Sequence, residues 1–566
     1  MTRLISSSLL SVVAASVVVA VAAAAAVVLP NVDESDPAHW MRIGREELAI
    51  ALNREPINKR AKNVILLIGD GMGVSTVTAS RIYQGQRNGK SGEEGLMFFE
   101  NFPNIAHAKT YNVDKQTPDS AATATAFLCG VKNNYGTIGI DSTVNRRNCT
   151  AQHGHNLTSI LHWSQQAGKD VGVVTNTRIT HATPAAAYAQ AADRNWEADS
   201  DMAGVEGGCK DIARQLVEDN PDIKVILGGG RYNFMPETVP DPESGDLNGK
   251  RQDDRDLVQE WLDEKHGRNF SASYVWNATS FYDVDPNSTD FLLGLFAASH
   301  MDYEFVRTSV PDEVNDEAGE PSLAEMTSTA INMLSKGQEG FFLLVEGGRI
   351  DHAHHSNRAK LSLADTVAFD EAVRAATEMT SREDTLIVVT ADHSHVFVIG
   401  GYPSRGNSIT GEEDMNLARD DLPFTTLLYG NGPGYAVTEN ATREDITHID
   451  VEDIGYRQQA AVPMASETHA GEDVAIYAQG PMAHLFHATH EQSYIAYVMA
   501  FASCVGPYAN EEDCAAALEP STPLPMVSTT KKEGDSLCPT NSCGVVKSSM
   551  VVFFIWITSL WSFHLR

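Results

Sequence analysis

The chain has 566 residues, with 75 acidic and 42 basic side chains and a formal net charge of −33 at pH 7. This length predicts one large domain with insertions, not several equal domains. The strong negative charge argues against nucleic acid or anionic lipid as a direct partner.

The amino terminus predicts a secretory signal. Residues 1–29 begin with Arg3, continue through Val, Ala, Ser and Leu, and end near Pro30. This layout is typical of a cleaved signal peptide, although the apolar stretch is also long enough for an uncleaved anchor. Residues 40–53 then have the pattern of an amphipathic helix.

The first predicted strand covers residues 64–68 and is followed by Asp70 between two glycines. A continuous apolar run of this kind predicts a buried parallel strand. Asp70 would then lie at the carboxyl end of the strand, where open α/β sheets place their ligands. An ordinary Asp-Gly turn is the alternative.

Residues 119–126 read Asp-Ser-Ala-Ala-Thr-Ala-Thr-Ala, a carboxylate and one hydroxyl nucleophile ahead of small residues. The pattern predicts the first turns of a helix, with Ser120 near its amino terminus. Free N–H groups and a partial positive charge at such an end suit an incoming phosphate. Alone, the segment is equally typical of a purely structural helix.

A strand predicted at residues 171–175 leads towards three polar side chains, those of His181, Thr183 and Arg194. The Thr183 hydroxyl can bind a hard cation. Arginine can hold a phosphoryl group through two parallel hydrogen bonds, which makes Arg194 a candidate substrate residue.

The strand at residues 341–345 is followed by two carboxylates and three imidazoles within residues 346–355. Such a set is hard to bury without a metal or a charge partner. Asp351 and His355 are four residues apart, so they face the same way on a helical turn. The pattern favours a metal site over a solvated loop.

Two further segments supply ligands of the type that zinc prefers. The strand at residues 386–390 ends at Asp392 and His393, and His469 precedes a strand-like run at residues 474–477. His469 alone would be read as structural, so it matters only as the missing member of a ligand set.

Strands alternate with helical stretches, which predicts an α/β fold with a mostly parallel central sheet and helices on both faces. The strands assigned to it are predicted at residues 64–68, 171–175, 224–227, 341–345, 386–390 and 425–428. Residues 231–321 are rich in Gly, Pro and Asp and predict an inserted surface subdomain, and residues 402–464 predict a second insertion.

Seven segments in order resemble the alkaline phosphatases, in particular the animal, membrane-anchored type: GDGMG, DSAATATA, HATPA, RNW, EGGRIDHAHH, TADHSH and ETHAGEDVA. They span residues 64 to about 494. The resemblance implies a three-layer sandwich within a catalytic domain at residues 30–541. It also implies a homodimer, with residues 402–464 forming a crown at the dimer interface.

The same resemblance implies a role for each matched residue. Ser120 would be the phosphorylated nucleophile and Arg194 the phosphate clamp, with Asp119 and His181 supporting them. Metal ligands would be Asp70, Asp392 and His393 for the zinc beside Ser120; Asp351, His355 and His469 for the zinc at the leaving group; and Asp70, Thr183 and Glu346 for magnesium.

The resemblance also offers a calcium site in the first insertion, formed by Glu243, the Phe296 backbone and Glu320. Ala297 occupies a position that is acidic in the mammalian pattern. Losing one carboxylate from an oxygen-only site weakens calcium binding. A calcium site and a solvated acidic loop both stay open.

Hydrolysis of phosphate monoesters at a cell surface is the predicted activity. The rate should rise from neutral pH towards about pH 9–10, because metal ligands must be deprotonated and the nucleophiles gain from alkaline conditions. A two-zinc phosphodiesterase or sulfatase of the same fold is the alternative enzyme. An anchored ectodomain with a receptor role is the alternative outside catalysis.

The carboxyl terminus predicts a lipid anchor. Residues 550–563 are apolar but too short to span a bilayer comfortably, and small residues and a short polar spacer precede them. This layout is typical of a signal exchanged for a glycosylphosphatidylinositol anchor at Asn541 or Ser542. Residues 518–541 would be a stalk, and residues 542–566 would be removed.

Cysteines and sequons agree with an extracellular location. By resemblance, Cys149 pairs with Cys209 and Cys504 with Cys514, leaving Cys129 free; Cys538 and Cys543 adjoin the removed tail. Glycosylation is expected at Asn156, Asn269, Asn277, Asn287 and Asn440, whereas the sequon at Asn148 adjoins a bridged cysteine.

Overall fold

The computed structural model describes residues 34–309, 319–439 and 442–511. Several predicted features therefore lie outside the described residues. These are the signal peptide at residues 1–29, the stalk at 518–541, the tail at 542–566, and Asn440, Cys514, Cys538, Asn541, Ser542 and Cys543.

A ten-stranded sheet forms the centre of the fold, in the order β15-β2-β14-β8-β1-β7-β3-β4-β6-β5. Its strands are β1 (Asn63–Gly69), β2 (Asn104–Lys109), β3 (Asp170–Arg178), β4 (Val225–Gly229), β5 (Ala272–Val275), β6 (Phe291–Leu295), β7 (Phe341–Gly347), β8 (Thr385–Ala391), β14 (Val474–Gln479) and β15 (Thr489–Glu491). Only β14 runs against the others, pairing antiparallel with both β2 and β8.

Two small sheets accompany it. One contains β10 (Phe397–Ile399), β11 (Leu427–Gly432) and β12 (Ala460–Pro463), and the other pairs β9 (Ser394–His395) with β13 (His469–Ala470).

Fourteen α-helices occur within the described residues. They are α1 (Pro37–Leu52), α2 (Val74–Arg87), α3 (Ser120–Cys129), α4 (Cys149–Gln152), α5 (Ile160–Gln166), α6 (Ala182–Ala185), α7 (Ile212–Glu218), α8 (Leu257–Gly267), α9 (Ala278–Tyr282), α10 (Glu304–Ser309), α11 (Leu323–Leu334), α12 (Arg349–His355), α13 (Ala359–Glu378) and α14 (Tyr494–Ser503).

Helices cover both faces of the central sheet. One group, α2, α10, α11, α12 and α13, packs together, and a second group contains α3, α5, α6 and α14. Members of both groups contact the same strands, β3 and β7, so the groups lie on opposite faces. The α/β class and the mostly parallel sheet are therefore confirmed.

The apolar runs that predict central strands are buried throughout. Strands β1, β7 and β8 have almost completely buried side chains, as expected for strands covered on both faces. One prediction is wrong: residues 425–428 do not join the central sheet. The strand there begins at Leu427, and it pairs with β10 and β12 in the small sheet.

The segment predicted as the first insertion contributes β5 and β6, which form one edge of the central sheet. Sequence inspection missed β5 because it is short and only half-buried, so it lacks a continuous apolar run. It missed β6, which is apolar and fully buried, because the surrounding Gly, Pro and Asp residues indicated a surface insertion.

Several of the predicted disulfide cysteines and glycosylation sites fall within the described residues. Cys149 and Cys209 form a disulfide and Cys129 is free and buried, as predicted. Cys504 is also disulfide-bonded. The side chains of Asn156, Asn269 and Asn287 are exposed, and Asn277 is half-buried at the start of α9. No helix in the described part of the chain is long and apolar enough to cross a membrane.

Candidate active site

Parallel strand register brings the predicted acidic ligands together at one edge of the sheet. Gly69 pairs with Gly347 on one side and with Ala391 on the other. Asp70 and Asp392, which each follow one of these residues, therefore leave neighbouring strands side by side. Glu346 lies in the row just before, paired with Ile68. The site thus occupies the carboxyl ends of β1, β7 and β8.

Ser120 is the first residue of α3 and is almost completely buried. Asp119 caps the helix, accepting a hydrogen bond from Ala122 N. All ten residues of α3 are buried, and the first seven are Ser, Ala or Thr, whose small side chains let the helix pack closely. The predicted helix start is confirmed, and it holds one hydroxyl at a positively polarised helix end.

The ligands predicted for the first zinc converge beside this hydroxyl. Ser120 Oγ lies 3.1 Å from His393 Nε2, which is 3.1 Å from Asp392 Oδ2 and 3.5 Å from Asp70 Oδ1. Oδ1 of Asp392 accepts hydrogen bonds from the N–H groups of Gly71 and His393. The three side chains are fully buried and can offer one ligand atom each to a common ion.

The ligands predicted for the second zinc form an adjoining group. Asp351 Oδ1 lies 3.4 Å from His355 Nε2 and 3.3 Å from His469 Nε2. His469 also stacks on His393, with ring centroids 3.5 Å apart. The two predicted zinc groups are therefore in contact with each other.

Hydrogen bonds show which nitrogens would face a cation. Nδ1 of His355 lies 2.6 Å from Glu467 O, and Nδ1 of His469 lies 2.8 Å from Pro118 O. A carbonyl can only accept, so each Nδ1 carries the proton and each neutral ring has its lone pair on Nε2. These two Nε2 atoms face each other at 3.1 Å. Two lone pairs at this distance repel unless a cation lies between them.

The predicted magnesium ligands also have unsatisfied oxygens. Both carboxylate oxygens of Asp70, Thr183 Oγ1 and Glu346 Oε1 are buried without a hydrogen-bond partner. The other Glu346 oxygen accepts from the Thr175 and Thr177 hydroxyls. Buried polar atoms left without a partner are costly, so oxygen ligands arranged in this way fit a hard divalent cation.

Burial dominates the electrostatics of these carboxylates. Desolvation, followed by the charge of Asp392, raises the pKa of Asp70 well above its ordinary value. Desolvation likewise raises the pKa of Glu346 to about 7. Burial would also raise the pKa of Asp351, but His355 and a hydrogen bond from His395 hold it well below its ordinary value. A divalent cation would compensate the carboxylate charge that burial opposes.

Arg194 is held near the start of α3 by two contacts. Nη1 lies 3.1 Å from Asp119 Oδ2, and Nη2 lies 3.1 Å from His181 Nε2. Asp119 also accepts a hydrogen bond from Gly136 N, which fixes the carboxylate. The guanidinium is thus oriented before any substrate arrives.

Sequence inspection assigned no role to His395 and Glu467, although both lie in quoted motifs. His395 Nε2 is 2.8 Å from Asp351 Oδ1, and its Nδ1 is 2.5 Å from Glu467 Oε2. Burial opposes the charged ring, but Glu467 and Asp351 raise the pKa of His395 to about 10. A chain of acid, imidazolium and acid therefore positions Asp351, the predicted metal ligand.

Gly71 is required by this arrangement. Its φ is +72°, and a Cβ there would lie 2.4 Å from His395 Nε2. The glycine after Asp70 therefore lets the backbone turn and leaves room for the imidazole.

A sequence profile of the alkaline phosphatases matches residues 61–505. The chain belongs to the alkaline phosphatase family. It is 50% identical to the tissue-nonspecific alkaline phosphatase of Gallus gallus over 503 residues, covering 87% of this chain and 95% of the relative. It is 48% identical to the alkaline phosphatase of Gadus morhua, covering 84% and 98% of the two chains.

Solved alkaline phosphatases share the fold. The Thermus thermophilus structure aligns with a TM-score of 0.56 at 23% identity, covering 80% of this chain and 93% of that one. The structure from the Antarctic bacterium TAB5 aligns with a TM-score of 0.52 at 22% identity, covering 79% and 99%.

The candidate calcium ligands have protein partners in the structure. Glu243 Oε2 lies 2.7 Å from Nη2 of the buried Arg231. Glu320 Oε2 accepts a hydrogen bond from Asp302 N, and Phe296 is buried at the end of β6. This candidate site therefore differs from the candidate active site, where both oxygens of Asp70 and one oxygen of Glu346 have no hydrogen-bond partner.

Proposed function

We propose that this alkaline phosphatase family member hydrolyses phosphate monoesters to an alcohol and inorganic phosphate through a phosphorylated Ser120. The observation that carries the proposal is the contact of one buried hydroxyl with the first of two joined groups of imidazoles and carboxylates, beside a fixed guanidinium. Phosphate monoesters hydrolyse extremely slowly without a catalyst, so these groups together must supply a very large rate enhancement.

The protein's own groups place the substrate. Arg194 supplies two donors for the phosphate oxygens that gather negative charge in the transition state. Asp119 keeps that guanidinium in place, and the N–H groups at the start of α3 add further positive potential. Formation of a covalent phosphoserine divides one difficult displacement into two easier ones.

Metal ions complete the proposed site. We assign zinc to Asp70, Asp392 and His393 and to Asp351, His355 and His469, and magnesium to Asp70, Thr183 and Glu346. The facing lone pairs of His355 and His469 and the unpartnered oxygens of Asp70 support this assignment. When bound, these ions neutralise charge on the attacking and leaving oxygens and lower the pKa of the hydroxyl and water nucleophiles.

Acid quenching with a labelled monoester tests the nucleophile. The wild-type protein should carry label on Ser120, and Ser120→Ala should carry none while staying folded. Ser328→Ala, on α11, is the matched control and should label like the wild type. Undiminished label in Ser120→Ala would refute the proposed intermediate.

Arg194 favours the monoester reading over a phosphodiesterase, since a diester has an esterified oxygen where the guanidinium needs a free one. Ser120 disfavours a sulfatase, because the sulfatases of this superfamily use a modified cysteine there. Arg194→Ala should lower kcat/KM for para-nitrophenyl phosphate by at least about 100-fold, and for a diester by much less. Equal losses on both substrates would contradict the clamp.

We also propose a cell-surface location and a homodimer. The predicted anchor at Asn541 or Ser542 would be released by a phosphatidylinositol-specific phospholipase C, and retention on membranes after treatment would refute it. Large apolar side chains are exposed on α1 and on the predicted crown, including Trp40, Leu52 and Tyr402. Sedimentation should therefore report twice the chain mass, and a monomer would refute the dimer.

A further inference from the structure

A buried carboxylate comes directly before the phosphate clamp in the chain. Asp193 precedes Arg194 and is 1% exposed. Its Oδ1 accepts hydrogen bonds from Arg146 Nε at 3.1 Å and Nη2 at 2.8 Å, and its Oδ2 accepts one from Arg147 Nε at 2.7 Å. The backbone N–H of Asn195 also donates to Oδ1, at 3.1 Å. Two guanidiniums therefore share one carboxylate next to the clamp residue.

The two arginines keep this carboxylate charged. Burial opposes its ionisation, but hydrogen bonds from Arg146 and Arg147 lower the pKa of Asp193 below its ordinary value. The arginines differ in exposure, because the side chain of Arg147 is 72% exposed and that of Arg146 is 30% exposed. Arg146 is therefore the partner that Asp193 holds against the protein.

These ion pairs fasten the loop before α4 to the segment that contains Arg194. The backbone N–H of Arg147 donates to Ala192 O at 2.8 Å. The φ of Arg147 is +68°, in the left-handed region that residues other than glycine rarely adopt. Residues 192–198 belong to no helix or strand. Contacts with the neighbouring loop, and not a regular element, therefore fix the backbone at Arg194.

Gly136 connects the same loop to the clamp. Arg194 N donates to Gly136 O at 2.9 Å, and Gly136 N donates to Asp119 Oδ1 at 2.9 Å. The other oxygen of Asp119 holds the Arg194 guanidinium. The φ of Gly136 is +75°, and a Cβ there would lie 2.5 Å from Arg146 Nε. Arg146 therefore packs against the glycine that contacts both the Arg194 backbone and the carboxylate behind its guanidinium.

We infer that Asp193 is a positioning residue, which acts through Arg146 and Gly136 to fix the orientation of Arg194. The inference rests on the proposed function. Arginine has a long side chain with many rotamers, and a donor that is already oriented needs no reorganisation when charge develops on the phosphoryl group. Asp119 orients the guanidinium directly, whereas Asp193 orients the backbone that carries it.

Asp193→Asn tests the inference, because the amide keeps the size of the side chain and removes its charge. Its kcat/KM for para-nitrophenyl phosphate should fall about tenfold, since small displacements of an oriented group are costly. In an Arg194→Ala background the same substitution should cost less than about twofold, because no guanidinium is left to orient. Equal losses in both backgrounds would overturn the inference, since a purely structural defect does not depend on Arg194.

Asp241→Asn is the matched control. Asp241 is 3% exposed and forms a bidentate pair with Arg231 in the first insertion. Breaking this buried pair should lower the melting temperature, as in Asp193→Asn, but should keep kcat/KM within about twofold of the wild type. A loss of activity as large as that of Asp193→Asn would show a general effect of broken ion pairs and would overturn the inference.

Arg146→Gln provides a second variant should Asp193→Asn fail to fold. It leaves Asp193 paired with Arg147 and removes only the guanidinium that packs against Gly136. The loss in kcat/KM should again be about tenfold and should again require Arg194. A loss that persists in the Arg194→Ala background would count against the inference.

Binding of inorganic phosphate separates this inference from the proposed function. Titration calorimetry of the zinc- and magnesium-loaded protein should show about tenfold weaker phosphate binding in Asp193→Asn, and no further weakening in the Arg194→Ala background. An unchanged dissociation constant in Asp193→Asn would overturn the inference. A wild type without activity on para-nitrophenyl phosphate would refute the proposed function instead, and the phosphate titration would still decide the role of Asp193.

Discussion

The catalytic centre and the candidate calcium site both contain carboxylates, but they differ in whether the carboxylate oxygens have protein hydrogen-bond partners. At the catalytic centre, both oxygens of Asp70 and one of Glu346 are buried without a partner. At the candidate calcium site, Glu243 is paired with Arg231 and Glu320 accepts a backbone hydrogen bond. Buried carboxylate oxygens without a hydrogen-bond partner indicate a bound ion, whereas carboxylates that already have protein partners do not need one.

Arg231 strengthens the contrast. It is fully buried, forms a bidentate pair with Asp241, donates to Leu295 O and also reaches Glu243. A calcium ion at Glu243 would have to compete with this guanidinium. Together with Ala297, this arrangement favours the reading of an acidic surface loop over that of a strong calcium site.

Removal of divalent metals should have the largest effect. Chelation should abolish phosphatase activity, because the facing lone pairs and buried carboxylates of the centre then repel each other, and it should lower the melting temperature. Zinc and magnesium together should restore both properties, and calcium alone should restore neither. Full activity in a verified metal-free protein would contradict the account.

Glu346→Gln and Glu243→Gln form a matched pair that compares the two regions. Glu346→Gln removes a ligand charge from the buried centre and should lower kcat by at least about tenfold, with a lower magnesium content. Glu243→Gln should change kcat by less than about twofold. Similar losses in steady-state assays of both variants would erase the distinction between the regions.

Glu467→Gln tests the chain that positions Asp351. The amide can still contact His395 but no longer supplies the charge that raises the pKa of this ring. Zinc affinity at the second group should fall by about tenfold, as is typical when a residue behind a ligand is changed. Competition with a chromogenic chelator measures this. An unchanged affinity would show that His395 does not depend on Glu467.

Asp365→Asn should have the smallest effect, on stability alone. Burial raises the pKa of Asp365 to about 8, so the folded state holds a proton that the unfolded chain releases near its ordinary value. Its contribution to stability is therefore lost as pH rises from about 4 to about 8. The variant should gain in melting temperature over the wild type, increasingly from pH 5 to pH 8. A gap that narrows over this range would contradict the assigned pKa.

Sequence inspection could predict the parts of the site that follow directly from strands. Asp70, Glu346 and Asp392 each lie at or just beyond the end of an apolar run, and parallel register brings such ends together. The fold class followed from the same runs. Ser120 could be placed at a helix start because a capping carboxylate precedes a run of small residues.

Other features depend on pairings that no local pattern encodes. His395 reaches Asp351 and Glu467 because β9 pairs antiparallel with β13, opposite His469. Asp193 meets Arg146 and Arg147 only because the loop before α4 lies against the segment that contains Arg194. Strand β11 was predicted in the central sheet instead of the small one, because an apolar run predicts a strand but does not indicate which sheet the strand joins.

Anomalous diffraction at the zinc absorption edge tests the central claim most directly. We predict two strong peaks per chain, one within coordination distance of Asp70, Asp392 and His393, and the other of Asp351, His355 and His469. Ser120 Oγ should lie next to the first peak. Crystals of active enzyme without zinc at either position would contradict the account.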